Sequence, residues 1–392
     1  MMIVLIMRIG IDVRCLAEGK RTGVEEYTLA LLESLFEADQ ENTYVLFFNA
    51  WKKEAPSFVT QYVTKYPNVI LKTFHFPNKL LNLALWYLRF PKLDWLIGGV
   101  DVFFLPNLNF VAVSGQTKLV VTAHDLSFEL FPETFSWKQR AWHFFINFRS
   151  LLRRADHIIA VSRSTKDDVV TQYRIPPKKV IVIPSGIGTQ FCMMSRNDTT
   201  LIRVQEKYRL PYKFILSLST FEPRKNILAL IRAYEALRRL GNPVFDKYAL
   251  VIAGTRGWKY EEVFQAIARS PYKESIILPG FIADEDKIAL YNLASLFVYP
   301  SFYEGFGFPP LEAMASGVPV IVAHSSSLPE IVGDAGILID PYQPDELFVA
   351  LQQILLDQEL TESLRQKGIE RARIFSWEKT ARATLDLLRA SP

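Results

Sequence analysis

The stretch Tyr299–Val322, YPSFYEGFGFPPLEAMASGVPVIV, leaves this chain few folds to choose from. It begins at the end of an apolar run, Leu296–Tyr299, that reads as a buried strand. The chain then enters a loop with Gly305 and Gly307, followed by Pro309 and Pro310, and proline is tolerated in a helix only in its first turn. Leu311–Ser316 reads as a short helix stopped by Gly317, and Val318–Ala323 as the next strand. Strand, glycine loop and helix N-terminus in succession present unpaired backbone N–H groups to an anion. Two carboxylates frame the unit, Glu304 on the loop and Glu312 in the first turn or so of the helix. Taken singly, the glycines would serve a tight turn equally well, and Glu312 the helix dipole.

The same alternation runs through the whole chain. Strand patterns at Arg8–Val13, Tyr44–Phe48, Val69–Phe74, Asp101–Leu105, Lys118–Thr122, Ala155–Ser162 and Lys179–Pro184 are followed by a second series. That series is Tyr212–Ser219, Ala249–Gly254, Ser275–Leu278, Leu296–Tyr299, Val318–Ala323 and Gly336–Asp340. Helical patterns separate most of them, which predicts an α/β chain with two doubly wound parallel sheets. The length of 392 residues fits two domains. The polar run Ser195–Thr200 marks the boundary, giving an N-terminal domain over 1–196, a C-terminal domain over 197–375 and a last helix within 376–392.

Ligands of open α/β sheets bind beyond the carboxyl ends of the strands, and four such ends carry chemistry. After the first strand, Gly23 opens a helix whose apolar face is Val24, Tyr27, Leu31, Leu32 and Leu35. His124 and Asp125 follow the strand at 118–122. Arg224 and Lys225 stand between the strand at 212–219 and a helix from about Asn226, where a bidentate guanidinium and a point charge suit a diphosphate. Gly280, Phe281 and Ile282 precede an acidic helix start. Two helix caps are expected as plain structure: Ser164 with Asp167, and a capping box of Ser327 with Glu330.

Composition narrows the classes. Two cysteines, Cys15 and Cys192, offer neither a disulfide framework nor a metal cluster, so a reducing compartment is expected. The opening MMIVLI is short and lacks a basic start, so it reads as neither signal peptide nor membrane span. The net charge is +4, and residues 1–196 carry 23 Lys and Arg against 17 Asp and Glu. That modest excess, without a base-reading basic helix, excludes a nucleic-acid partner. Within residues 52–92, however, Lys52, Lys53, Lys65, Lys72, Lys79, Arg89 and Lys92 face one acid, Glu54, amid a run of Leu, Trp, Tyr and Phe. A second basic and aromatic cluster spans 138–154. Both read either as peripheral membrane contacts or as partly buried helices with a solvated face.

The string YEGFGFPPLEAMASG, with seven residues between its two glutamates, resembles the signature of retaining family 4 glycosyltransferases of the GT-B fold. The resemblance covers nearly the whole chain, is strongest over Phe214–Pro341, and is weakest over Asn49–Leu96. It implies two Rossmann-like domains facing across a cleft, with the last helix packed back on the first domain. The donor is then a nucleotide diphosphate sugar, GDP-mannose being favoured, and the acceptor a glycan or lipid-linked hydroxyl in cytoplasmic polysaccharide assembly. Catalytic roles fall to His124, Arg224, Lys225 and Glu304. Donor-binding roles fall to Gly23, Phe281, Gly305, Phe306, Gly307 and Glu312, with no metal and no cofactor. One departure is Ser219, near where many relatives carry a further arginine. A nucleotide-sugar epimerase of similar architecture and a non-catalytic sugar-binding homologue remain as alternatives. A nicotinamide enzyme fits poorly, because no glycine fingerprint follows the first strand.

Overall fold

The computed structural model describes residues 6–18, 23–135, 137, 140 and 145–390. The chain forms two compact units: Met1–Leu126 with Trp137–Gly186 and Ser376–Pro392, and Ser127–Ser136 with Ile187–Phe375.

The first unit holds seven parallel strands: β1 Arg8–Asp12, β2 Thr43–Asn49, β3 Val69–Phe74, β4 Val102–Leu105, β5 Lys118–Ala123, β6 His157–Ala160 and β7 Val180–Val182. Their order is β3-β2-β1-β4-β5-β6-β7, so the winding reverses between β1 and β4. β4 and nearly all of β2 are buried, as expected of a parallel sheet covered on both faces. Helix Gly23–Ala38 lays Tyr27, Leu31, Leu32, Leu35 and Phe36 into the core. Helix Trp377–Arg389 belongs to this unit and packs along it. Thr380 donates to the Pro184 carbonyl at 2.7 Å, and Arg389 reaches Asp39 at 3.1 Å. The chain passes so close at Gly186 that a Cβ there would lie 2.1 Å from the Trp377 nitrogen, which leaves glycine as the residue that fits.

The second unit holds six parallel strands: β8 Phe214–Leu218, β9 Ala249–Ala253, β10 Ile276–Gly280, β11 Leu296–Tyr299, β12 Val320–Ala323 and β13 Ile337–Ile339. Their order is β10-β9-β8-β11-β12-β13, which places the reversal between β8 and β11. The core is built from Ile215, Leu250, Ile252, Val298 and Ile321 against Leu230, Ile231, Tyr234 and Leu351 of the covering helices.

Three local readings change. The units part at Gly186, ahead of the polar run at 195–200. That run is a helix entry: Asp198 accepts from the Thr200 amide and caps helix Thr199–Lys207. Arg203, Lys207 and Tyr208 then converge on the fully buried Asp286, which binds the segment to the second unit. The cap of helix Arg163–Tyr173 is Ser162, not Ser164, because β6 already ends at Ala160. Ser327 is not a capping-box residue; its hydroxyl donates to the carbonyls of Glu304 and Phe306.

Candidate active site

The loops leaving β8 and β11 meet at the reversal point of the second sheet. Beyond β8, Pro223–Lys225 forms one 3-10 turn, and Asn226 turns left-handed at φ 54° before helix Ile227–Arg239. The Arg224 carbonyl accepts from the Phe302 amide at 2.9 Å and from the Ser301 hydroxyl at 3.1 Å, which ties that turn to the loop after β11.

This tie brings Arg224, Lys225 and Glu304 into one cluster. Lys225 Nζ donates to Glu304 Oε1 at 2.6 Å and to the Tyr299 hydroxyl at 2.8 Å. Arg224 Nη1 donates to Glu304 Oε2 at 3.1 Å and to the Tyr303 carbonyl at 2.7 Å. Ser301 Oγ shares its one proton between Glu304 Oε1 at 2.6 Å and the Arg224 carbonyl, and Glu222 stands 3.6 Å from Arg224 Nη2. Lys225 and Glu304 are each more than nine-tenths buried. Burial pushes the Glu304 carboxyl up, but the Arg224 and Lys225 charges outweigh it and bring it down to about 2. Burial and then the Arg224 charge lower the Lys225 ammonium, with Glu304 opposing them. At neutral pH Glu304 is therefore an anion that already engages both cations. Any other anion must compete with that carboxylate for them.

Gly305, Phe306 and Gly307 continue the loop, with Gly307 at φ 119° just before helix Phe308–Ala315. The helix begins ahead of the two prolines, which occupy its first turn. The Phe306 and Gly307 amides have no acceptor among the described residues. Glu312 is buried in that helix and accepts from the Tyr291 hydroxyl at 2.7 Å. The rings of Tyr291, Phe297 and Tyr299 follow one another at 5.6 and 5.9 Å, so an aromatic strip joins Glu312 to Lys225. Phe281 stands exposed after β10.

Gly23 and His124 lie in the first unit. Gly23 is the first residue of its helix, and a Cβ there would meet nothing within 4 Å. His124 follows β5. Its Nε2 is 2.8 Å from the Pro106 carbonyl, and its ring meets Tyr27 edge-on at 4.7 Å. A carbonyl only accepts, so Nε2 carries the proton. Burial lowers the imidazole's pKa, which keeps it neutral at neutral pH and leaves Nδ1 an acceptor. Among the described residues, no group of three His, Cys, Asp or Glu side chains could hold a metal ion.

The partners missed from sequence are Tyr299, Ser301, Ser326 and Ser327. Pairing across sheet-end loops leaves no periodic signal. The run Ser325-Ser326-Ser327, one residue beyond β12, is the available cue.

Both sheets match those of GT-B glycosyltransferases. Anabaena HepE in complex with UDP and glucose aligns with a TM-score of 0.72 at 20% identity, over 97% of this chain and 99% of its own. Residues 198–371 match the model for glycosyl transferases group 1, and residues 21–191 that for glycosyltransferase family 4. O-antigen chain mannosyltransferase B of Escherichia coli is 30% identical over 368 residues, 93% of this chain and 95% of that protein. The serotype-specific mannosyltransferase WbdA of Escherichia coli is 34% identical over 271 residues, 69% of this chain and 33% of that longer protein. The chain belongs to glycosyltransferase family 4, and it is a glycosyltransferase.

Proposed function

We propose that this enzyme transfers mannose from GDP-mannose, with retention, to a glycan or lipid-linked hydroxyl in O-antigen-type assembly at the cytoplasmic side of the membrane. The Arg224–Lys225 pair at the β8/β11 reversal carries the reading, since two converging cations suit a departing diphosphate. Likeness to two mannosyltransferases supports the sugar. The bond from anomeric carbon to phosphate oxygen breaks, and the acceptor oxygen bonds to that carbon on the same face. The acceptor proton passes to a phosphate oxygen of the leaving group. Arg224, Lys225 and the amides of Phe306 and Gly307 take up the growing negative charge, without a metal. Glu312 accepts from the ribose hydroxyls, and Phe281 borders the base.

The test is a thermal-shift and turnover panel of GDP-, UDP- and ADP-sugars, run with a chelator present. GDP-mannose should give the largest shift and acceptor-dependent release of GDP. Glu312→Ala should weaken GDP binding by about tenfold, roughly 1.4 kcal/mol. Release of free nucleotide without acceptor would favour an epimerase instead, and loss of turnover with chelator would overturn metal independence.

The membrane contact is part of the same proposal. Leu80, Leu83, Tyr87, Leu88 and Phe90 are exposed on and after helix Asn78–Leu83, beside Lys79, Arg89 and Lys92. Trp137 is exposed too, and Trp86 meets Phe145 edge-on at 5.5 Å, whereas Lys138, Trp142 and Phe144 lie outside the described residues. Among the described residues no helix is long and apolar enough to cross a membrane. Replacing Lys79, Arg89 and Lys92 with serine should weaken binding to phosphatidylglycerol vesicles about a hundredfold, at about 1 kcal/mol per cation. Equal binding in a sedimentation assay would leave the segment as ordinary surface.

A further inference from the structure

The loop after β12 grips the loop after β11 by three consecutive serines. Ser325 Oγ donates to the Ser301 carbonyl at 2.9 Å. Ser326 Oγ accepts from the Glu304 amide at 2.8 Å. Ser327 Oγ shares its one proton between the Phe306 carbonyl at 2.6 Å and the Glu304 carbonyl at 2.9 Å. Both backbone groups of Glu304 are thus held by two adjacent side chains, one from each direction. Ser327 is fully buried, and its hydroxyl serves this loop rather than the helix Leu328–Val332 that it precedes.

Ser326 does this from an unusual backbone. Its φ is +49°, the left-handed region that favours glycine and disfavours residues with a Cβ. A glycine would suit the turn better but would have no hydroxyl for the Glu304 amide. Strain of this kind persists where the surroundings impose it, and it gathers at functional sites.

The grip has two consequences for the site. It fixes where the Glu304 carboxylate meets Arg224 and Lys225. It also consumes the Glu304 N–H, so the loop amides without an acceptor among the described residues are those of Phe306 and Gly307, farther along. We propose that Ser326 is a positioning residue for sugar transfer, its strained backbone held to aim the Glu304 loop and to direct the anion toward the Phe306 and Gly307 amides, with Ser327 bracing the same loop. This rests on the reading that Glu304 belongs to the reacting site.

The experiment compares wild type with Ser326→Gly, Ser326→Ala and Glu304→Gln, measuring kcat, the donor KM and the midpoint of urea unfolding. Ser326→Gly relieves the strained φ and removes the hydroxyl. It should unfold at the wild-type urea concentration or higher, yet show kcat reduced at least tenfold with donor KM changed less than threefold. Ser326→Ala keeps the Cβ and should lose both stability and kcat. Wild-type kcat in Ser326→Gly overturns the proposal. So does a loss of stability or a failure to fold in that variant, since either marks the serine as structural. Glu304→Gln separates the two levels. If it turns over as wild type does, the reading of the site fails. If it is inactive while Ser326→Gly is normal, the positioning role alone fails.

Discussion

Lys225→Ala should lower kcat/KM for sugar transfer by about a hundredfold or more, about 3 kcal/mol, the scale on which a preorganised donor to developing charge is measured. Lys225 is buried and makes a 2.6 Å bond to Glu304 and a 2.8 Å bond to Tyr299, so its ammonium is already held where charge must be met. Little reorganisation remains when a diphosphate arrives. Arg224 cannot substitute, because its Nη1 is committed to the Tyr303 carbonyl and to the other Glu304 oxygen. A second effect accompanies the first. Breaking a buried ion pair leaves the surviving charge exposed to a medium that cannot solvate it, at a cost of about 3–5 kcal/mol for an isolated pair. Here Arg224 and Ser301 still hold the carboxylate, so a loss of about 2 kcal/mol is expected. The two effects separate in the double variant Lys225→Ala, Glu304→Gln. It should recover stability relative to Lys225→Ala in urea unfolding while remaining as inactive. Wild-type kcat/KM in Lys225→Ala would remove this lysine from the site.

The strands were legible because parallel strands buried on both faces are unbroken apolar runs. Leu296–Tyr299, buried at every residue, matches the sequence reading residue for residue; the edge strand Val69–Phe74 matches too although only Val69 is buried, and other strand ends shift by a residue or two. Burial on both faces leaves no alternation to blur. Helix Phe308–Ala315 begins ahead of the Leu311 start that the sequence pattern predicts, because both prolines fit inside its first turn. The serine run at 325–327 was harder still. Ser327 and Glu330 have capping-box spacing, yet a nearer and fully buried claim, the carbonyls of Glu304 and Phe306, takes the hydroxyl. Local spacing can propose a partner, but it cannot see a loop returning from another strand. The same blindness hid the main feature of the site. Arg224 and Lys225 stand out in the sequence as adjacent cations at a strand end, and Glu304 as a carboxylate beside a glycine loop. That these charges neutralise one another across two loops is a property of strand order, since β8 and β11 are neighbours only in the folded sheet.

That neutralisation makes Glu304→Gln the more informative change. Glutamine has nearly the shape of glutamate and can still accept from Ser301, but it carries no charge. Arg224 and Lys225 would lose their competing anion, so GDP alone should bind about tenfold more tightly, roughly 1.4 kcal/mol, by calorimetry. Turnover should fall about a hundredfold, because the carboxylate that aligns Lys225 is gone. Tighter product and slower chemistry together are the signature of a group that competes with the ground state and supports the transition state. The pH dependence gives an independent reading. The Glu304 carboxyl is held at about 2 in the folded chain against an ordinary 4.5. A depressed carboxylate contributes stability that is fully present above about 4.5 and is lost as pH falls toward 2. Its contribution is on the order of 3 kcal/mol. The stability gap between wild type and Glu304→Gln should therefore be widest at pH 5 and above, and close steadily as urea unfolding is followed down to pH 2.5. A gap that does not change over that range would mean that Glu304 is not the counter-charge of Arg224 and Lys225.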